Sequence, residues 1–369
     1  MSSKNNTRIL FLARRYPPSV GGIQTHCYNL YHRLIEMCSV KLVALGRDSL
    51  LHLIWFVPYC FLVSFFCVLF RRVDAIYFSD GVICSIAPFL RLFTRMRFVV
   101  TIYGLEMTYS NPIFSRMMRF GVSCCDKVAV ISQITRAVSI QAGVPVEKIE
   151  IIYLGIDPPS IPKAQREALK ARFEADEYGI QFGRDKIVLN FGRQVPRKGV
   201  AKFLECGVPL LNRDIKLIVS GSGPDAERIR EIWEENGLYD RVLLLYLSDE
   251  ELGFIRGEAD LFIMPNVPYP NDVEGFGITH LECMHDGTPV VAFAVDALTE
   301  SVSRGGYLIP PNDYQAFVDQ VHAFFELSAA EREQIEREAR DYVRSEFTWD
   351  KTAAEYFDLF VGKGKAIRR

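Results

Sequence analysis

Residues Glu274-Gly275-Phe276-Gly277-Ile278-Thr279-His280-Leu281-Glu282 set two carboxylates eight positions apart around a glycine pair. Gly275 and Gly277 let the backbone approach a ligand closely. Thr279 through His285 has helical spacing and stops at Gly287, a suitable C-cap residue. The helix predicted here aims its N-terminus at whatever the glycines admit. Backbone amides and a helix dipole at that point suit a diphosphate, and a carboxylate at each end suits two different sets of hydroxyls. Working outward, Gly287-Thr288-Pro289 reads as a turn, Val290-Val291-Ala292-Phe293 as a short apolar strand, and Asp260-Leu261-Phe262-Ile263-Met264-Pro265 as the strand before the motif. Strand, helix, turn and strand make a βαβ unit, hence a parallel sheet.

The same rhythm runs further back. Lys186-Ile187-Val188-Leu189-Asn190-Phe191 is a strand that enters Gly192-Arg193-Gln194-Val195-Pro196-Arg197-Lys198-Gly199. Arg193 and Lys198 stand five apart on this glycine-flanked loop: the guanidinium can grip two oxygens, the ammonium adds a mobile charge, and together they suit a diphosphate. Lys216 to Val219 leads into Gly221-Ser222-Gly223, and Arg241 to Tyr246 into Leu247-Ser248-Asp249. In the first half, Arg8 to Leu12 reads as a strand, Tyr16 to Gly22 as a loop, and Ile23 begins a helix. The spacing of Gly21-Gly22 is not the dinucleotide Gly-x-Gly-x-x-Gly, which disfavours a nicotinamide site. Phe98 to Ile102 leads into Tyr103-Gly104-Leu105-Glu106, and Lys127 to Ile131 ends at Ser132. Ligands collect beyond the carboxyl ends of strands in open α/β sheets, which puts Tyr103, Glu106 and Ser132 in useful positions.

Taken with the Gly-x-Pro-Val-Val strand, the Glu-x7-Glu spacing of Glu274 and Glu282 resembles the donor-binding signature of the GT-B glycosyltransferases of family 4, the glycosyl transferases group 1. The resemblance spans nearly the whole chain and is weakest around Leu51 to Phe70. It implies an α/β GT-B fold, with two Rossmann-like β/α/β domains facing each other across a cleft. It also implies transfer of a sugar from a nucleotide donor with retention of anomeric configuration. Arg193 and Lys198 match the family's Arg-x4-Lys pair. By the same resemblance Glu274 orients the transferred sugar, Glu282 binds the nucleotide ribose, and Gly21, Gly22, Gly275, Phe276, Gly277 and Ile278 line the donor. The loop at Leu247 would hold the base through backbone groups, with Glu106 and Ser132 on the acceptor side. Many relatives carry His where Tyr103 stands. A phenol does not act as a base near neutral pH, so Tyr103 is assigned to positioning. Neither an Asp-x-Asp pair nor a His/carboxylate cluster at metal spacing is present, so no metal or other cofactor is expected beyond the donor, UDP- or GDP-linked.

The length of 369 residues exceeds one usual core and predicts two domains. The Pro-rich stretch Gly155 to Pro162 marks the boundary, giving residues 1–160 on the acceptor side and 161–349 on the donor side, with a helix over 350–369 returning to the first domain. Hydrophobic residues form 49% of the chain and charged ones 24%, so both halves should fold. Nine scattered cysteines read as reduced core residues, and the polar start at Met1 to Asn6 predicts a cytoplasmic protein. The net charge of −2 hides an asymmetry, since residues 1–160 hold 17 Lys/Arg against 9 Asp/Glu. Leu51 to Phe70 is an apolar run long enough to span a bilayer. Strands read on both sides of it belong to one sheet and cannot be separated by a membrane, and Pro58 interrupts a continuous helix. A helix or broken helix pair covering the sheet is expected, with its exposed part dipped into the inner face of the cell membrane and Arg71, Arg72, Arg91, Arg95 and Arg97 meeting anionic headgroups. An unusually apolar buried helix is the alternative. No base-stacking aromatics interleave the basic residues, so nucleic acid is not an expected partner. The preferred reading is sugar transfer to a glycan or lipid-linked acceptor. The alternatives are another GT-B activity, an epimerase or hydrolase, or a nucleotide-binding membrane adaptor.

Overall fold

The computed structural model describes residues 5–47, 50–104, 111–175, 179–270 and 272–362. The chain divides into two compact units, one built from residues 1–155 and 347–369, the other from Ile156–Glu346.

In unit 1 the order is β1 (Arg8–Ala13), α1 (Gly22–Met37), β2 (Ser39–Ala44), α2 (Leu50–Leu69), β3 (Ala75–Phe78), α3 (Gly81–Cys84), α4 (Ala87–Arg91), β4 (Arg97–Ile102), α5 (Pro112–Ser123), β5 (Lys127–Val130), α6 (Gln133–Gln141) and β6 (Ile149–Ile151). Among the described residues these strands form a parallel sheet in the order β2-β1-β3-β4-β5-β6. The chain steps outward from β1 to β2, then crosses back to place β3 on the other side of β1. The loops after β1 and β3 therefore flank the switch point, where such sheets bind ligands.

Unit 2 repeats the plan. It runs α7 (Lys163–Glu174), β7 (Lys186–Phe191), α8 (Val200–Cys206), β8 (Ile215–Ser220), α9 (Ala226–Glu235), β9 (Val242–Leu245), α10 (Asp249–Arg256) and β10 (Leu261–Met264). Then come α11 (Ile278–Asp286), β11 (Val290–Phe293), α12 (Leu298–Ser301), β12 (Gly306–Ile309), α13 (Tyr314–Glu326) and α14 (Ala329–Glu346). The strands pair in parallel in the order β12-β11-β10-β7-β8-β9. Here the switch point lies between β7 and β10.

Buried on both faces, the central strands β1, β3, β4, β7, β10 and β11 read as near-continuous apolar runs, while the edge strand β2 is largely exposed. The last helix, α15 (Trp349–Val361), completes unit 1. With α1 it covers one face of the first sheet, where Tyr356, Leu359 and Phe360 pack among Phe11, Leu30 and Tyr77. The fully buried Thr101 hydroxyl lies 2.7 Å from both Tyr77 Oη and Tyr356 Oη, so the three satisfy one another inside that core. Gly155 is glycine because a Cβ there would strike the backbone and ring of Trp349. The nine cysteines are free thiols, and seven are buried.

The other face of that sheet is covered by α2, a single helix running through Pro58, not a broken pair. Pro58 and Ile54 both lie on its exposed side, so the proline's missing amide leaves the Ile54 carbonyl on the outside of the fold. Phe56, Cys60, Cys67 and Val68 enter the core against β1, β3 and β4. The parallel strands β2 and β3 both pair with β1, so α2 is a crossover of one sheet despite being long and apolar enough to cross a membrane.

Candidate active site

Apart from Leu247, which follows β9, the sequence-derived residues of unit 2 come from the segments after β7 and β10, at the switch point. After β7 the chain makes a 3₁₀ turn over Pro196–Lys198 and leaves it through Gly199 at φ 67°. A side chain at Gly199 would collide with the Pro265 carbonyl at the end of β10, and the Val267 amide donates to the Arg197 carbonyl at 2.9 Å. The two loops are thus tied together at the strand ends. From one loop come Arg197 and Lys198, from the other Asn266, Asp272 and Glu274.

Glu274 is the centre of this group. Its Oε2 accepts from Arg197 Nη1 at 2.5 Å, Lys198 Nζ at 2.6 Å and Asn266 Nδ2 at 3.0 Å, while its backbone amide donates to Asp296 Oδ2 at 2.8 Å. Arg197 Nε reaches Asp272 at 3.0 Å. Burial alone would raise the Glu274 carboxyl, but the Lys198 and Arg197 charges outweigh it and hold the group at about 2. It is therefore a buried carboxylate with fixed orientation. Arg193 is exposed and forms no ion pair with any described residue, so its guanidinium stands ready for an anion.

Beyond Glu274 the chain turns through Gly275 and the buried Phe276 to Gly277, which caps α11 at φ 80° and supplies no side-chain cap. The first amides of α11, from Ile278 onward, thereby keep their donors for a ligand. Gly192 at the end of β7 approaches the Thr279 methyl so closely that a Cβ would lie 3.3 Å from it. The α11 N-terminus is thus placed beside the basic loop. His280 packs under Gly277, and burial lowers its imidazole to about 3, so it is neutral.

Glu282 sits one turn along α11 in different surroundings. Burial raises its carboxyl to about 7, opposed by Arg256, whose Nη1 lies 3.8 Å from Glu282 Oε2 while Nε is held by Asp286 at 2.6 Å. The two carboxylates of the motif are therefore separated in acidity as well as position. Leu247, after β9, turns its amide towards Ser220 Oγ at 3.4 Å, and Ser248 caps α10. A cavity of about 150 Å³ between that loop and α9 is lined by Gln194, Gly221, Arg230, Trp233 and Tyr246.

In unit 1, Gly21 at φ 153° caps α1, and Gly22 opens it. Tyr103 follows β4 and its Oη lies 2.6 Å from His26 Nδ1 of α1. Burial lowers His26 to about 3, so this partner is a neutral imidazole. Ser132 is fully buried, and its hydroxyl closes a capping box with Thr135 at the start of α6, leaving it no surface for an acceptor. Glu106 lies outside the described residues. Among the described residues no group of three His, Cys, Asp or Glu side chains gathers as a metal site would.

Arg197, Asn266, Asp272, His26 and Arg256 were missed in sequence. Arg197 hid beside the spaced pair Arg193 and Lys198, and nothing in Pro265-Asn266 foretells a contact eight residues away. Asp272 and Arg256 look like ordinary surface charges.

Two family models divide the chain: Glycosyltransferase Family 4 matches residues 20–159 and Glycosyl transferases group 1 matches residues 174–342. The chain is 25% identical to N-acetyl-alpha-D-glucosaminyl L-malate synthase of Bacillus anthracis, over 77% of this chain and 72% of that protein. It is 26% identical to the GDP-mannose-dependent alpha-(1-6)-phosphatidylinositol monomannoside mannosyltransferase of Mycobacterium tuberculosis, over 80% and 77% of the two chains. Among solved structures, Anabaena HepE in complex with UDP and glucose superposes with a TM-score of 0.75 at 17% identity, covering 97% of this chain and all of that one, a likeness of fold. With the Glu-x7-Glu motif at the switch point of the second sheet and both family models matched in sequence, the chain is a glycosyltransferase of the GT-B fold, a member of family 4.

Proposed function

We propose that this enzyme moves a sugar from a nucleotide-sugar donor, UDP- or GDP-linked, to a lipid-linked or membrane-proximal glycan acceptor, with retention of configuration and no metal, in cell-surface polysaccharide or glycolipid biosynthesis at the cytoplasmic face of the membrane. The observation that carries this reading is the buried Glu274 carboxylate, locked by Arg197, Lys198 and Asn266 beside an uncapped helix N-terminus.

The α11 amides, Arg193 and Lys198 receive the donor diphosphate and stabilise its charge as the glycosidic bond breaks, the work a cation does elsewhere. Glu274 accepts from hydroxyls of the transferred sugar and Glu282 from those of the ribose. Gly21 and Gly22 let the backbone approach the donor. Tyr103, braced by His26, positions the sugar. The acceptor hydroxyl attacks from the face the nucleotide leaves, and a donor phosphate oxygen takes its proton. Two relatives agree in kind: the mycobacterial mannosyltransferase is GDP-mannose-dependent, and the Anabaena structure holds UDP and glucose.

The test is incubation of the purified chain with a panel of UDP-, GDP- and ADP-sugars and membrane extract, with EDTA present. Nucleotide release, sugar incorporation and the anomeric configuration of the product are measured. Acceptor-dependent transfer from one donor with retained configuration is expected. Release without any acceptor would assign a hydrolase or epimerase, and loss of transfer in EDTA would overturn the metal-free mechanism.

A further inference from the structure

We propose that the outer faces of α2, α4 and α5 form one membrane-docking surface on unit 1, seated on the headgroup and upper acyl region of an anionic bilayer. This deepens the membrane-proximal reading above, on which it rests, by widening the contact from one helix to three.

The apolar surface starts on α2. Its outward residues Leu51, Ile54, Trp55, Tyr59, Leu62 and Phe66 recur at three and four positions, and Leu51 and Ile54 are each 74% exposed. The residues between them fill the core, so the helix is apolar on both sides and lacks the polar face that a surface helix presents to water. The apolar surface continues onto α4. Phe61 meets Phe89 at 6.5 Å and Phe65 meets Phe93 at 5.0 Å, with Leu92 beside them 78% exposed.

α4 also packs against α5. There Ile113, Met117 and Phe120 turn outward while Met118, Gly121 and Val122 turn in. Gly121 seats α5 on the end of α3, because a Cβ there would strike the Cys84 carbonyl and lift α5 away. Contiguous exposed apolar surface of this extent marks an interaction site.

Charge decides what covers it. Arg71, Arg72, Arg95 and Arg116 are exposed around these helices and pair with no described carboxylate. Arg91 and Arg97, expected at the headgroups from sequence, are instead structural. Arg91 binds the Cys124 and Met96 carbonyls and Asp126, and Arg97 binds the Leu359 carbonyl. The carboxylates described between residues 50 and 123 are Asp74, paired with Arg8, and Asp80, buried against Arg14. A second copy of the chain would press these arginines against one another across a two-fold contact. An anionic lipid surface complements them and receives the apolar side chains below its headgroups, with Trp55 and Tyr59 suited to the boundary.

Co-sedimentation of the full chain with phosphatidylcholine vesicles, with and without phosphatidylglycerol, tests this. Phosphatidylglycerol-dependent binding is expected, with amide-exchange protection on α4 and α5 as well as α2. Leu92→Glu and Phe120→Glu should each weaken partition by about tenfold or more, from the loss of one buried apolar side chain, at unchanged thermal stability. UDP and GDP titrations run in parallel report the donor site, so a failed donor reading shows as lost nucleotide binding with vesicle binding intact. The proposal is overturned if both variants bind like the parent chain, if no vesicle binds, or if the chain is a dimer that the two variants dissociate.

Discussion

Glu274 holds three protein groups with one oxygen, and that concentration makes its contribution to stability dependent on pH. A carboxyl whose folded value lies below its unfolded one stabilises the fold above the unfolded value and loses that contribution as pH falls. For Glu274 the window runs from 4.5 down to about 2. Glu274→Gln should therefore be less stable than the parent by a few kcal/mol near neutral pH, with the gap narrowing across that acid window in urea titrations. Turnover should fall roughly a hundredfold or more if the carboxylate acts on the developing charge. A parallel pH dependence in the two proteins would sink the assignment of the acid slope to this residue. Glu282 has the opposite sign. Its carboxyl is raised from 4.5 to about 7, so folding stability declines as pH climbs through that interval and is level above it. The side chain keeps 28% of its surface, which limits the effect. In the proposed role, Glu282 receives the ribose hydroxyls in its ionised form, and on that proposal nucleoside diphosphate affinity should rise through about pH 7 and become flat in Glu282→Gln. Calorimetric titration between pH 5.5 and 8.5 checks this, the range being set about the usual reach of one titration.

At the scale of elements, the strand-loop-helix rhythm was legible because buried parallel strands are written as short apolar runs separated by glycine. The motif helix was equally plain between Gly277 and Gly287. What escaped was contact between loops. The Gly199 to Pro265 approach joins residues from two strand ends, and no local pattern encodes it. Gly199→Ala would place a Cβ against that carbonyl and a left-handed backbone under a methyl, a cost of about 2 kcal/mol or more. Thermal denaturation should show the loss and donor affinity should drop with it, because Lys198 is the preceding residue. An unchanged melting temperature would mean the loops are not held by this contact. The fate of the arginines near α2 was likewise hidden. Sequence shows their number, whereas carbonyls at the ends of β4, α5 and α15 decide that Arg91 and Arg97 are spent inside the fold.

At the scale of the molecule, the units differ in charge and in continuity. Unit 1 carries 22 Lys/Arg against 11 Asp/Glu, and unit 2 carries 21 against 34. The near-neutral total conceals both, and vesicle binding should weaken steeply as salt rises, since exposed charges are screened over about 8 Å at physiological ionic strength. Unit 2 is one uninterrupted stretch, Ile156–Glu346, whereas unit 1 needs α15 from beyond it. The isolated stretch 156–346 should thus bind nucleoside diphosphate by itself, while a chain ended at Glu346 should lose cooperative unfolding of its first unit. Tyr356 and its hydroxyl contact with Thr101 give that loss a physical cause. The same feature orders events on the ribosome. Synthesis delivers the first sheet early but withholds the helix that closes it until all of unit 2 has emerged, so the portion of the enzyme made first is finished last. During that interval the nascent chain carries an open apolar sheet face, and its safety depends on chaperones or on how quickly translation reaches Trp349.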